Sequence, residues 1–140
     1  MWKQNSIFLK ARPKGFYLIT KEILSEIEYI KLLKVGILHL FIKHTSASLT
    51  LNENSDLLVR KDFERHFNRL VPENQKYYEH TAEGPDDMPA HLKSSILGSS
   101  LSIPIRKGNL ELGTWQGIYL CEHRTNGPER NLIITVTGSN

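Results

Sequence analysis

Val35-Gly36-Ile37-Leu38-His39-Leu40-Phe41-Ile42 is the longest apolar run in the chain, and its length is that of a strand. A membrane helix needs about 18–20 unbroken apolar residues, and this run is far shorter and is interrupted by His39. With so little alternation it reads as a central strand covered on both faces. The side-chain period of two then sets Leu38, Leu40, Ile42 and His44 on one side. His44 emerges at the end of a rigid core element, a firm mount for a functional group.

Strand patterns accumulate outward from this run. Ser6–Lys10 and Gly15–Thr20 read as two short strands joined by a turn at Ala11-Arg12-Pro13-Lys14, where proline fixes φ and lacks the amide hydrogen of a central strand. Thr20 is placed to cap a helix through Leu33 that buries Ile23, Ile27 and Ile30. On the other side, Ser48–Leu51 resumes a strand. Asn52-Glu53-Asn54-Ser55-Asp56 then marks the start of a helix to Arg69, with Val59, Phe63, Phe67 and Leu70 inward. Pro72 stops that helix, and the chain to Pro89 is polar and turn-rich, a loop length that usually has a function. Asp86 or Asp87 opens a short helix with Pro89 in its first turn and Gly98 at its end. There His91, Ser94 and Ser95 share one face, while Leu92 and Ile96 point elsewhere, inward. Leu101–Arg106, Leu110–Glu122 and Arg130–Gly138 complete the chain as strands joined by Gly- and Asn-bearing turns. The pattern predicts one α+β domain over residues 1–140, with no repeat or linker.

Composition narrows the function. The 140 residues are 39% hydrophobic and 24% charged, an ordinary globular mixture. The net charge of +3 is scattered along the chain, without the basic stripe that nucleic acid requires. It suits a small anionic ligand. The single cysteine, Cys121, forms no intramolecular disulfide or zinc ribbon. With no signal-peptide core at the N-terminus, the expected setting is cytoplasmic, without membrane attachment.

The chemistry lies in the histidines and their polar neighbours. His66 follows Asp62 by four on a helix, a surface pairing, and His39 within an apolar strand reads as a hydrogen-bonded core residue. His44, His80 and His91 each sit in a polar island beside structured elements. Neutral imidazole is a common metal ligand and moves protons near neutral pH. Three such groups with Asp86 or Asp87 nearby would form an open divalent-metal site, with zinc or magnesium as the expected ion. His44-Thr45-Ser46-Ala47-Ser48 offers three hydroxyls beside a histidine, better read as hydrogen-bond donors to a ligand than as nucleophiles, since no nucleophile elbow is present. Asp56 and Asp62 are either helix-surface carboxylates or groups turned toward the His44 cleft. Gly113-Thr114-Trp115-Gln116-Gly117 permits a bulge or close approach. Within it Trp115 reads as core or interface packing. Gln116 and Glu122, on an otherwise apolar face, need partners, because unpaired burial costs roughly 1–3 kcal/mol; a ligand or neighbouring subunit would supply them.

Three long stretches, His44 to Asn54, Glu83 to Ser95 and Leu112 to Tyr119, together closely resemble the YjbQ family, whose members carry the label secondary thiamine-phosphate synthase. The resemblance covers essentially the whole chain. It implies an α+β fold with a mixed, mostly antiparallel sheet and a few helices, assembled as a homotrimer with sites near subunit boundaries. It matches His44, His80 and His91 to the family's histidines, the expected metal ligands. It matches Asp56, Asp62, Asp87 and Gln116 to further polar positions, which with His91 and Ser46 are the catalytic candidates. Asp87 is the clearest departure, since many members carry asparagine there. The implied reaction joins a hydroxymethylpyrimidine diphosphate to a thiazole phosphate with release of pyrophosphate, as a main or a side activity. Lys43, Lys93, Arg106 and Arg124 are candidates to neutralise the leaving group. Two other classes remain: a metal-dependent hydrolase of a small phosphorylated or cyclic metabolite, and a non-catalytic trimer that holds a small anion.

Overall fold

The computed structural model describes residues 1–140. Two antiparallel sheets face each other across one apolar core, and two helices cover the far side of the smaller sheet. The larger sheet has the order β1 (Trp2–Leu9), β8 (Arg130–Ser139), β3 (Val35–Ile42), β5 (Ser100–Arg106) and β6 (Asn109–Leu110). The smaller places β7 (Gln116–Asn126) between β2 (Pro13–Leu18) and β4 (Ala47–Glu53). Every strand pairing is antiparallel, so the sheets contain none of the expected parallel pairs.

Alternation decides what each sheet buries. Leu38, Leu40 and Ile42 of β3, Leu132, Ile134 and Val136 of β8, and Ile103 and Ile105 of β5 point inward. They meet Ala47 and Leu49 of β4 and Ile118 and Leu120 of β7. α1 (Thr20–Glu26) and a 3₁₀ turn at Glu28–Leu32 close the end of this core with Ile23, Ile27 and Ile30. The other face of β7 and β4 carries Tyr119, Cys121, His123 and Ser48. These are buried beneath α2 (Leu57–Leu70) and α3 (Asp87–Leu97), which pack on β2, β4 and β7.

Several expectations are corrected. β3 is covered on one face only: Val35, Ile37 and Phe41 are exposed, and His39 is partly exposed rather than held in the core. The run is apolar on both faces, but this chain covers only one of them. The expected helix Thr20–Leu33 breaks at Ile27. Thr20 lies inside α1 and uses its hydroxyl to accept the Ile118 N–H at 2.9 Å. α2 is capped by Asp56, whose Oδ1 accepts the Leu58 N–H. It docks through half-buried Val59, Phe63 and Phe67, the last two against Phe16, and leaves Leu70 exposed. Ile96 of α3 is also exposed rather than inward. β7 begins at Gln116, since residues 111–113 are irregular and Thr114-Trp115 turn just before it.

Candidate functional site

α3 carries the centre of the site. The helix ends at Gly98, whose φ of +104° favours glycine; its carbonyl then accepts the Leu49 N–H of β4. The helix is thereby tied against β4. The Ser94 hydroxyl donates to the Ala47 carbonyl at 2.9 Å, and His91 Nδ1 donates to the Thr45 carbonyl at 3.0 Å. One turn before His91, Asp87 is buried at the start of the helix, and the polar loop brings His80 over it. His80 Nε2 lies 2.6 Å from Asp87 Oδ2, and His91 Nε2 lies 3.1 Å from the same oxygen. The three ligand atoms lie within 4.8 Å of one another.

Arg124 of β7 sets the carboxylate's orientation. Its Nη1 is 2.8 Å from Asp87 Oδ1, leaving Oδ2 to the histidines. Its Nε donates to Asp86 Oδ2 at 2.9 Å and its Nη2 to the Glu83 carbonyl. Burial works against the Asp87 charge. The His80 hydrogen bond and the charges of Arg124 and His91 outweigh it and hold the pKa below the usual carboxylate value. Burial likewise opposes ionisation of Asp86, and hydrogen bonds from Arg124 and the Thr125 N–H reverse the balance. Both carboxylates are therefore ionised at neutral pH.

The donor set fits a divalent cation. With Nδ1 committed to a carbonyl, His91 has only Nε2 left to offer, and that atom faces Asp87 Oδ2. Either a proton or a metal cation can lie between the two atoms. An imidazole oriented by a carbonyl, beside a carboxylate oriented by an arginine, is the usual support of a metal centre. Nitrogen ligands favour zinc over magnesium, which prefers an all-oxygen shell.

Beside the cluster, His91 also lines an open cavity of about 400 Å³ with His44, Thr45, Ser94, Ser95, Gly98 and Ser99. Its wall contains no apolar residue. His44 Nε2 accepts the Asn131 N–H at 2.8 Å, so the neutral ring keeps its hydrogen on Nδ1. Burial, with Arg130 and Lys43 nearby, lowers its pKa. His44 thus stands in the neighbouring cavity, outside the His80–Asp87–His91 group.

The remaining candidates have partners of their own. Ser46 presents both its hydroxyl and its carbonyl to Arg130, at 3.0 and 3.2 Å. Asp56 caps α2. Asp62 lines a shallow depression with Arg65 and His66 and forms no ion pair with His66. Gln116 Oε1 accepts the Gly113 N–H at 2.8 Å. The partner expected for Glu122 from outside is instead Arg130, in a buried bidentate pair with Nε at 2.7 Å from Oε1. Of the proposed cations, Arg124 is held by two carboxylates, Arg106 pairs with Glu111, and buried Lys93 donates to Asn68. Sequence reasoning missed the orienting roles of Arg124 and the Thr45 carbonyl. The four-residue spacing of Asp87 and His91 is the signal that could have located the centre.

Fold and site together define an α+β protein of two packed antiparallel sheets, bearing a polar His–Asp–His cluster at a helix start. The family model "UPF0047 protein YjbQ-like" matches residues 5–139, and the chain belongs to that family. It is 55% identical over 138 residues to the UPF0047 protein YjbQ of Salmonella typhimurium, with 99% of each chain covered. It is 41% identical over 100 residues to the UPF0047 protein YugU of Bacillus subtilis, covering 71% of this chain and 72% of that one. Among solved structures, an uncharacterised YjbQ/UPF0047 protein of Clostridium acetobutylicum superposes with a TM-score of 0.77 at 32% identity, covering 95% and 97% of the two chains. A hypothetical protein of Aeropyrum pernix gives 0.84 at 25% identity, covering 98% and 99%. No helix of this chain is long and apolar enough to cross a membrane.

Proposed function

We propose that this chain is a divalent-metal-dependent enzyme acting on a small phosphorylated metabolite, with the metal on His80, Asp87 and His91. The observation that carries the reading is the convergence of one ligand atom each from His80, Asp87 and His91 within 4.8 Å, with His91 Nδ1 committed to the Thr45 carbonyl. A divalent ion would supply positive charge and Lewis acidity toward phosphate oxygens. Arg124 keeps Asp87 ionised and oriented, and the Thr45 carbonyl keeps the His91 ring in place. His44 Nδ1–H, Thr45, Ser95 and Ser99 offer donors to the rest of the substrate. A cytoplasmic setting fits the lone buried thiol of Cys121.

The reaction implied by the resemblance is the joining of a hydroxymethylpyrimidine diphosphate to a thiazole phosphate with departure of pyrophosphate. Hydrolysis of a small phosphorylated or cyclic metabolite is the second reading. It is favoured by the cavity wall, which carries neither lysine nor arginine to receive a departing diphosphate. The assay measures pyrophosphate from the two thiamine precursors, and phosphate from model monoesters and cyclic esters, with chelated and zinc- or magnesium-loaded protein. Turnover abolished by chelation and restored by one metal supports the enzyme, and the product distinguishes synthase from hydrolase. Anion binding without turnover, indifferent to chelation, means a non-catalytic binding trimer instead.

The homotrimer is supported by the uncovered outer face of the larger sheet, where Trp2, Phe8, Val35, Ile37 and Phe41 are 42–78% exposed. So many exposed large apolar side chains on one face are unusual for a monomer. A monomeric mass by light scattering at micromolar concentration would count against it.

A further inference from the structure

Trp115 is 62% exposed, yet hydrogen bonds hold the backbone on both sides of it. Asn54 alone holds three successive carbonyls of its loop. Its backbone N–H donates to Trp115 O at 2.8 Å, and its side-chain amide to Thr114 O at 3.3 Å and Gln116 O at 3.1 Å. Gln116 adds two more ties, since its Oε1 accepts the Gly113 N–H while the Gln116 N–H donates to Gly113 O at 3.0 Å. The Gln116 Nε2 amine keeps both its hydrogens free. Gly117 allows the strand to pass close by: a Cβ there would lie 2.5 Å from Leu18 and 3.0 Å from Asn54.

An indole that is rigidly mounted but unpacked is preorganised for something outside the loop. Beside it lies a cavity of about 720 Å³, lined by Trp115, Gln116, Asn54, Ser55, Thr20 and Lys21 among others. One aromatic face among hydrogen-bonding groups suits a flat ligand with polar edges. A protein partner would more naturally meet the apolar face of the larger sheet. This cavity is also remote from the metal cluster. His91 touches Thr45, just before β4, whereas Asn54 follows its end, and the strand from Ala47 to Glu53 spans roughly 20 Å at about 3.3 Å per residue.

We infer that the Trp115 loop and the adjoining cavity form a second, metal-independent site, which stacks a flat nitrogen heterocycle on the indole and reads its edge through Gln116 Nε2. The loop's anchors, Asn54 and Gly113, serve as positioning residues.

The test uses the full chain with Trp2→Phe, so that Trp115 is the only fluorophore excited at 295 nm. Adenine is titrated as the probe, with glycerol as a non-aromatic control. Saturable quenching by adenine alone is expected, persisting after chelation and in a His91→Ala background. Stacking on an aromatic is worth about 1–3 kcal/mol, so Trp115→Ala should weaken adenine binding about 5- to 150-fold by ligand-detected NMR. Gln116→Asn, which shortens the reach of the amide, should weaken it less. Three results would overturn the inference: no saturable adenine binding, binding unchanged by Trp115→Ala, or binding that vanishes with the metal. Trp115 emission already blue-shifted and closed to iodide in the unliganded protein would likewise overturn it, by showing the indole packed in a neighbouring copy.

Discussion

His91 and His123 are both histidines set between β-strands and helices, and both hydrogen-bond to protein oxygen, yet their surroundings give them opposite characters. His91 is partly exposed, faces an ionised carboxylate and borders an open polar cavity. His123 is buried beneath the helices, 2.8 Å from Ser48 Oγ, with the edge of its ring toward Phe16. Burial, reinforced by the charges of Lys93, Arg130 and Lys14, pushes its pKa down to about 3. One histidine is open to solvent and to a ligand; the other is a neutral building block. Immediately before His123 on β7, Glu122 pairs with Arg130 and extends the sealed region with a buried ion pair whose remaining positions bond to Ser46 and the Arg124 N–H. Exposure, and not residue type, separates site from scaffold here.

The largest expected effect therefore falls on the sealed region. Glu122→Gln removes the charge facing Arg130, which is only 2% exposed. Stranding one member of a buried pair costs about 3–5 kcal/mol, read as a lowered urea midpoint with an unchanged slope. A variant as stable as the parent would mean that water reaches Arg130 and that the contrast with the open cluster is overstated. Gly127 belongs to the same packing, since a Cβ there would sit 2.0 Å from Glu122 Oε1.

Proton linkage gives the next largest effect. Above pH 6.5 His123 is neutral in both folded and unfolded chains. As pH falls, only the unfolded chain takes up the proton, so stability drops by up to about 1.4 kcal/mol per pH unit, until the folded pKa near 3 is reached. His123→Gln should remove about 2–3 kcal/mol of the acid sensitivity between pH 6.5 and 4.5, measured by urea titration against the parent. Identical pH profiles would show that the buried ring is protonated without penalty.

What the sequence could reveal follows the same division. Alternating and helical periodicity located β3, β5, β8, α2 and α3, because apolar spacing is a local property. It could not show that one face of β3 lacks a cover, since apolar content is the same whether a helix or nothing lies above. His44, His80 and His91 were read as polar islands with Asp86 or Asp87 nearby, and the fold groups only His80, Asp87 and His91, leaving His44 in the neighbouring cavity. The fates of Ser46 and Glu122 were not legible, because their partner Arg130 is 84 and 8 residues away and only the fold brings the three together. Gln116 was expected to need an outside partner, yet its side-chain oxygen is used by its own turn.

The smallest stability effect should come from the residue with the largest functional one. His91→Ala deletes a hydrogen bond from the partly exposed ring to the Thr45 carbonyl, worth about 0.5–1.5 kcal/mol. It also removes the contact with Asp87 Oδ2 and places alanine, the best helix former, inside α3. These changes nearly cancel, so the metal-free variant should unfold within about 1 kcal/mol of the parent. Zinc should separate them. At 100 times its dissociation constant, a ligand specific to the folded state stabilises by about 2.7 kcal/mol, and the parent should show that shift. His91→Ala should lose most of it, because two remaining ligands hold zinc poorly. Equal stabilisation of both proteins by zinc would remove His91 from the centre and, with it, the distinction drawn against His123. A variant that fails to fold without metal would be equally damaging, since it would make His91 part of the scaffold.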